Sequence, residues 1–310
     1  MSDNDLSNIK IPEAERPVRP RRSVLYVPAN NERAMQKSLQ LPSDVVIYDL
    51  EDAILPAQKA QARETLRAFL KDKFPNGIKD SKKEILVRIN ALSSPWGSED
   101  LIAARAIMPS AILLPKVSEA DDIIEVNDAL VEMDTPHELR LWAMIETPRG
   151  ILNVASIARY ARTPGTRLDC FVAGTNDLVK ETGVIPQQGR PYLSNWLSQI
   201  VLSARAYGLD VIDGVYNDFK DASGFERESL DGRAMGFDGK SLIHPNQIDF
   251  ANEAFGIKAD ALSEAHEIID AFADAANKDA GVIQVNGKMV ERLHLEMAEK
   301  LVEKSKLISN

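Results

Sequence analysis

The chain has 310 residues, of which 44% are hydrophobic and 27% charged, with a net charge of −10. This is enough apolar material for a large core, and the acidic balance argues against a broad nucleic-acid-binding surface. The single cysteine, Cys170, excludes a disulfide within the chain and fits a reducing, cytoplasmic setting; no apolar run approaches the roughly 18 residues of a membrane span.

Residues 1–20 are polar and proline-bearing, with no apolar signal core, and read as a disordered lead-in. Beyond them, short apolar runs alternate with amphipathic stretches. A strand is expected over 23–27, then a helix over 32–39 with Asn30 as its N-cap. The second strand, 44–50, contains Val45, Val46 and Ile47, and a helix at 58–70 follows. Further strands are expected at 84–89, 111–116, 140–145, 168–173, 209–212 and 238–243. Helical patterns at 98–107, 119–133, 150–161 and 192–207 fall between them.

Eight apolar strands separated by helices indicate a parallel sheet covered on both faces. Eight units fit a closed (β/α)8 TIM barrel over residues 21–255; a doubly wound open sheet is the alternative. Residues 256–310 leave the repeat. They read as a C-terminal helical arm or cap: a helix over 260–277, a short strand at 282–285, a turn at Asn286-Gly287 and a final helix.

Catalytic groups of a parallel barrel sit at the C-terminal ends of its strands. Here those ends hold Asp49, Glu51 and Asp52, then Arg88 and Asn90, Lys116, Glu146, Asn176 and Asp177, Asp213, and His244. Glu146 follows the apolar run 141–145 and needs a partner once buried. It and Asp177 end adjacent strands, which lie about 4.8 Å apart, so the pair can share one cation. Oxygen ligands favour Mg²⁺ or Mn²⁺ over Zn²⁺. The plainer alternative pairs Glu146 with an arginine and uses Asp177 as a helix cap. Arg88 is either a grip for a carboxylate or a structural ion pair to Asp49 or Glu51. Lys116 reads as an ion-pair partner for these carboxylates, with a Schiff-base lysine as the lesser alternative. His244 before Pro245 is a helix-cap or nucleotide-contact candidate, whereas His137, His266 and His294 read as surface residues.

With these residues in hand, the sequence resembles the citrate lyase beta-subunit-like family, which includes malyl-CoA, citramalyl-CoA and citryl lyases of the phosphoenolpyruvate-binding barrel group. The resemblance runs from about Arg21 to Leu301. It is carried by Ser23-Val24-Leu25-Tyr26-Val27-Pro28, Asp49-Leu50-Glu51-Asp52-Ala53, Val87-Arg88-Ile89-Asn90 and Leu114-Pro115-Lys116. The later stretches are Glu146-Thr147-Pro148-Arg149-Gly150, Gly174-Thr175-Asn176-Asp177, Gly239-Lys240 and Ile243-His244-Pro245.

The resemblance implies Mg²⁺ on Glu146 and Asp177, with Arg88 holding a 2-oxo acid and Glu51 and Asp52 near the metal's waters. It implies that Lys240, His244 and Pro245 line the coenzyme A entrance, and it makes Arg22, Asn31 and Lys37 candidates for that cofactor's phosphates. Many relatives carry an aspartate in the C-terminal arm that reaches a neighbouring subunit's site as acid or base. Here the segment Gly287-Lys288-Met289-Val290 is followed by Glu291, one methylene longer; an ordinary exposed helix residue is the other reading. A homotrimer or dimer of trimers is implied.

The expected activity is Mg²⁺-dependent cleavage or formation of malyl-, methylmalyl-, citramalyl- or citryl-CoA, yielding acetyl- or propionyl-CoA and a 2-oxo acid. The rivals are a condensing enzyme with thioester hydrolysis, an aldolase on free hydroxy-oxo acids, and a non-catalytic subunit that binds an acyl thioester.

Overall fold

The structure, a computed structural model, describes residues 19–274, 276–278 and 280–308. Residues 1–18 of the expected lead-in lie outside them. The chain forms two compact units, residues 21–255 and 256–308.

In the first unit, eight parallel strands close into a barrel in sequence order: β1 (Ser23–Pro28), β2 (Val45–Asp49), β3 (Glu84–Arg88), β4 (Ala111–Leu114), β5 (Arg140–Ile145), β6 (Leu168–Ala173), β7 (Asp210–Asp213) and β8 (Gly239–Leu242). Pairing of Ser23 with Lys240 and Leu25 with Leu242 closes the ring, which decides against an open sheet. Among the described residues of this unit, nine α-helices accompany the strands: α1 (Glu32–Ser38), α2 (Lys59–Lys73), α3 (Gly97–Ile107), α4 (Ala120–Glu132), α5 (Pro148–Tyr160), α6 (Thr175–Thr182), α7 (Ser194–Ala206), α8 (Ala222–Met235) and α9 (Ile248–Ala254).

Strand side chains alternate between the helix layer and the barrel interior. Leu25, Val46, Tyr48, Ile85 and Val87 join the larger core under the helices. Val45, Ile47, Leu86, Leu113, Trp142, Met144 and Val172 fill the interior. At the N-terminal end, Arg21 plugs the barrel: it bonds Glu84 and Asp169 and lies 4.6 Å from the Trp142 ring centroid. The same two-residue period continues upward. Asp49 follows Ile47, Arg88 follows Leu86, and Glu146 follows Met144, so the interior turns polar at the strands' C-terminal ends.

Most expected boundaries shift by a few residues, and two of the shifts have a clear local cause. Asn31, not Asn30, caps α1, its side chain accepting from the Ala34 N–H. β4 stops at Leu114 because Pro115 has no N–H to donate and Lys116 has a φ of 54°.

The second unit contains α10 (Ala259–Ala273), β9 (Val282–Val285), β10 (Lys288–Glu291) and α11 (Arg292–Ile308). β9 and β10 form an antiparallel hairpin. Asn286 and Gly287 have φ of 50° and 77°, the pair of positive values that a two-residue type I′ turn requires.

Candidate active site

The loop after β2 is held by a buried lysine. Lys59 of α2 donates to the carbonyls of Leu50 and Glu51 and to Asn90 Oδ1, at 2.9, 2.7 and 2.8 Å. Asn90 in turn donates to Leu50 O. The loop therefore places Glu51 against β3. There Arg88 grips Asp49 with Nε and Nη2 at 2.7 and 2.6 Å, while its Nη1 lies 2.9 Å from Glu51 Oε2. The other Glu51 oxygen accepts from Lys116 Nζ at 2.6 Å. The guanidinium also covers the Tyr26 ring at 5.1 Å. The structural ion pair expected as an alternative for Arg88 is thus present.

Glu146 is 1% exposed. Thr147 caps α5 by accepting from the Gly150 N–H, and Pro148 begins the helix, an arrangement that ends β5 sharply. Glu146 Oε1 accepts from the Lys116 N–H at 2.7 Å. No cation forms an ion pair with Glu146 among the described residues. Across the strand gap stands Gly174, where a Cβ would fall 2.3 Å from Glu146 Cβ and 2.5 Å from Oε2; only glycine fits. α6 starts immediately after it and puts Asp177, half-buried, in its first turn. Gly174 occupies the cap position of α6, so Asp177 is not the cap.

These groups line a cavity of about 400 Å³ with Tyr26, Asp49, Asp52, Arg88, Met144, Glu146 and Asp177 in its wall. Burial, then the charges of Glu51 and Asp177, push the Glu146 carboxyl up to about 8, against the Lys116 N–H and Arg88, which lower it. Burial also raises Glu51, only partly offset by Arg88 and Lys116. Burial would raise Asp49, but Arg88 more than reverses this and holds it below the ordinary range. Burial tends to lower the Lys116 ammonium, yet its bond to Glu51 and that charge raise it overall, which opposes the Schiff-base reading. Of the four carboxylates in the wall, Asp49 is consumed by Arg88, and Asp52 is 61% exposed and 4.0 Å from Arg88 Nη1. Glu146 and Asp177 remain.

The other expected contacts separate. His244 caps a short helical turn over Pro245–Gln247 at the end of β8 and stacks on Phe219 at 4.6 Å, so it and Pro245 lie at the rim. Asn31 is exposed just past β1. Lys37, also exposed, is in the last turn of α1, about 9 Å further along the helix. Arg22 precedes β1, at the opposite end of the barrel, and pairs with Asp44. Lys240 is fully buried and donates to Asp213, Glu228 and Gly214 O. Burial and prior pairing take Lys240 out of ligand reach, and Arg22's position takes it away from the rim. Glu291 ends β10 in the second unit, exposed, its N–H donating to His294 Nδ1. It is a strand residue, not a helix residue.

Sequence reasoning missed Tyr26, Met144, Lys59 and Gly174. Tyr26 carried one signal, a hydroxyl inside the apolar run Val24 to Val27. Its only hydrogen bond among the described residues is a long 3.7 Å contact to Met144 Sδ.

Comparison with known proteins bears on this constellation. Residues 22–245 match the HpcH/HpaI aldolase/citrate lyase family. The chain is 42% identical over 291 residues to a (3S)-malyl-CoA thioesterase of Cereibacter sphaeroides, covering 94% of this chain and 96% of that one. It is 32% identical over 293 residues to the mitochondrial citramalyl-CoA lyase of Homo sapiens, covering 91% and 85%. The crystal structure of CitE from Mycobacterium tuberculosis with magnesium, acetoacetate and coenzyme A superposes with a TM-score of 0.71 at 28% identity, over 92% of this chain and 97% of that one. With the family match running through all eight barrel strands and these relatives covering nearly the whole chain, the protein belongs to the HpcH/HpaI aldolase/citrate lyase family.

Proposed function

We propose that the chain is a divalent-cation-dependent enzyme acting on a 3-hydroxyacyl thioester of coenzyme A whose hydroxyl-bearing carbon also carries a carboxylate. Malyl-CoA is the first such compound to test. The proposed reaction breaks the bond between that carbon and the α-carbon of the thioester. The observation carrying this reading is Glu146: a carboxylate buried at the cavity wall beside two others, without a cationic side chain paired to it among the described residues.

The residues fit a hard divalent ion. The candidate donors are oxygens only, and one Glu146 oxygen is already occupied by the Lys116 N–H. Among the described residues no group of three or more His, Cys, Asp or Glu is arranged to hold a metal. Two carboxylates completed by water and substrate suit Mg²⁺. The CitE neighbour was crystallised with magnesium and coenzyme A, which supports the same pairing here. When bound, the cation would draw charge from the oxygens of the 2-oxo acid half.

Cleavage begins with loss of the substrate hydroxyl proton to a base. The carbon–carbon pair then moves to the thioester as an enolate, which takes a proton to give acetyl-CoA; the other product of malyl-CoA is glyoxylate. Arg88, held rigid by Asp49, would orient the substrate carboxylate. Glu51 and Asp52 would bond waters near the ion. We assign the proton transfer to Glu291 of a neighbouring subunit in a homo-oligomer.

Hydrolysis of the thioester, giving malate and free coenzyme A, is the second reading, favoured by the 42% identity to a thioesterase. Incubation with malyl-, methylmalyl-, citramalyl- and citryl-CoA plus Mg²⁺, followed by chromatography, separates them. Acetyl- or propionyl-CoA with a 2-oxo acid supports cleavage. Free coenzyme A with an intact hydroxy acid means hydrolysis. No consumption of any of the four would defeat both readings.

A further inference from the structure

Lys116 stands outside the expected metal ligands, yet it touches two acidic groups at once. Its φ of 54° lies in the left-handed region, which residues with side chains seldom occupy, and such conformations persist where the surroundings hold them. This backbone turn aims the Lys116 N–H at Glu146 Oε1, 2.7 Å away. The same residue's side chain is 37% exposed, and its ammonium reaches Glu51 Oε1 at 2.6 Å. Glu146 Oε2, packed against Gly174, is left without a hydrogen bond from the described residues.

We infer that Lys116 is a positioning residue for the carboxylate cluster: its strained backbone sets Glu146 with Oε2 available to a ligand, while its ammonium fixes Glu51 beside Arg88. The two halves act in opposite senses on a bound cation. The backbone N–H orients the ligand oxygen, whereas the ammonium repels the ion. Removing only the ammonium should therefore tighten cation binding while loosening Glu51 and slowing turnover. A residue that merely supports the fold would weaken both.

This inference rests on Glu146 being a metal ligand, so the test starts with calorimetric titration of Mn²⁺ into the wild-type protein. Lys116→Met keeps the stem and removes the charge. It should bind Mn²⁺ about fivefold to tenfold more tightly, the size expected for one screened unit charge near a divalent ion, with kcat reduced at least tenfold and little change in melting temperature. Lys116→Gly keeps the N–H and removes the ammonium. It should match Lys116→Met in Mn²⁺ affinity, and its melting temperature should not fall because glycine accepts the left-handed φ. Lys116→Arg should return both affinity and kcat toward wild type. Unchanged affinity and kcat in Lys116→Met would overturn the inference, as would weaker Mn²⁺ binding accompanied by a lower melting temperature. Absence of Mn²⁺ binding in the wild type would remove the metal reading itself, and the inference with it.

Discussion

Glu146 makes the cation site a proton competitor, and the consequence is measurable. Burial and the neighbouring carboxylates raise its titration from the ordinary 4.5 to about 8, so in the metal-free protein it carries a proton at neutral pH. A cation must displace that proton. Apparent affinity should then rise about tenfold, or 1.4 kcal/mol, for each pH unit from 6 toward 8 and level off above. The stability of the metal-free protein has the opposite sign. The folded state binds the extra proton between about 4.5 and 8, so this group's contribution to stability declines as pH rises through that window. Calorimetric Mn²⁺ titrations at pH 6, 7 and 8, repeated in buffers of different ionisation enthalpy, should show close to one proton released per ion at pH 7. Glu146→Gln should abolish the release. A pH-independent affinity with no proton release would refute the reasoning.

The remaining predictions concern the shell around this group. Gly174→Ala drives a methyl into Glu146; Mn²⁺ affinity should fall tenfold or more, at a stability cost of about 1–3 kcal/mol, read from binding and melting curves. Arg88→Met leaves Asp49 buried without its cation and should cost about 3–5 kcal/mol by denaturant unfolding. Because Arg88 depresses the Asp49 titration, that loss should shrink as pH falls through the depressed range. Lys59→Met removes the lysine donor to the Glu51 carbonyl and one of the two donors to the Leu50 carbonyl and should lower kcat with Mn²⁺ affinity nearly unchanged. Glu291→Gln should reduce turnover by about 10²–10⁴-fold while leaving Mn²⁺ binding intact, and normal turnover would return Glu291 to the status of an exposed strand residue.

The barrel was legible because its strands are buried throughout. β5, Arg140–Ile145, and β6, Leu168–Ala173, have the expected limits, since the apolar runs 141–145 and 170–173 give way at once to Glu146 and Gly174. Asp49, Arg88 and Glu146 were legible as polar residues at strand ends, whereas their inward direction follows from the two-residue alternation that the structure shows. The limits of that reading are non-local. Nothing in the local sequence tells that Lys240 is matched by Asp213, 27 residues earlier, or that Arg22 faces Asp44 at the far end of β1. Motif position alone marks both as cofactor contacts, and the fold gives their charges other partners. Asn30 and Asn31 are chemically equal as caps, and only the backbone distinguishes them. β10 escaped notice although Asn286-Gly287 is a strong hairpin signal, because the four residues after it alternate too briefly to separate from the helix that follows.

The most direct test of the proposed account is consumption of malyl-CoA by the wild-type protein with Mg²⁺, by the same protein with chelator, and by Glu146→Gln and Asp177→Asn. The account predicts turnover in the first case and its loss in the other three, with both variants melting near the wild-type temperature. Turnover at close to the wild-type rate in either variant, or in the presence of chelator, would contradict it.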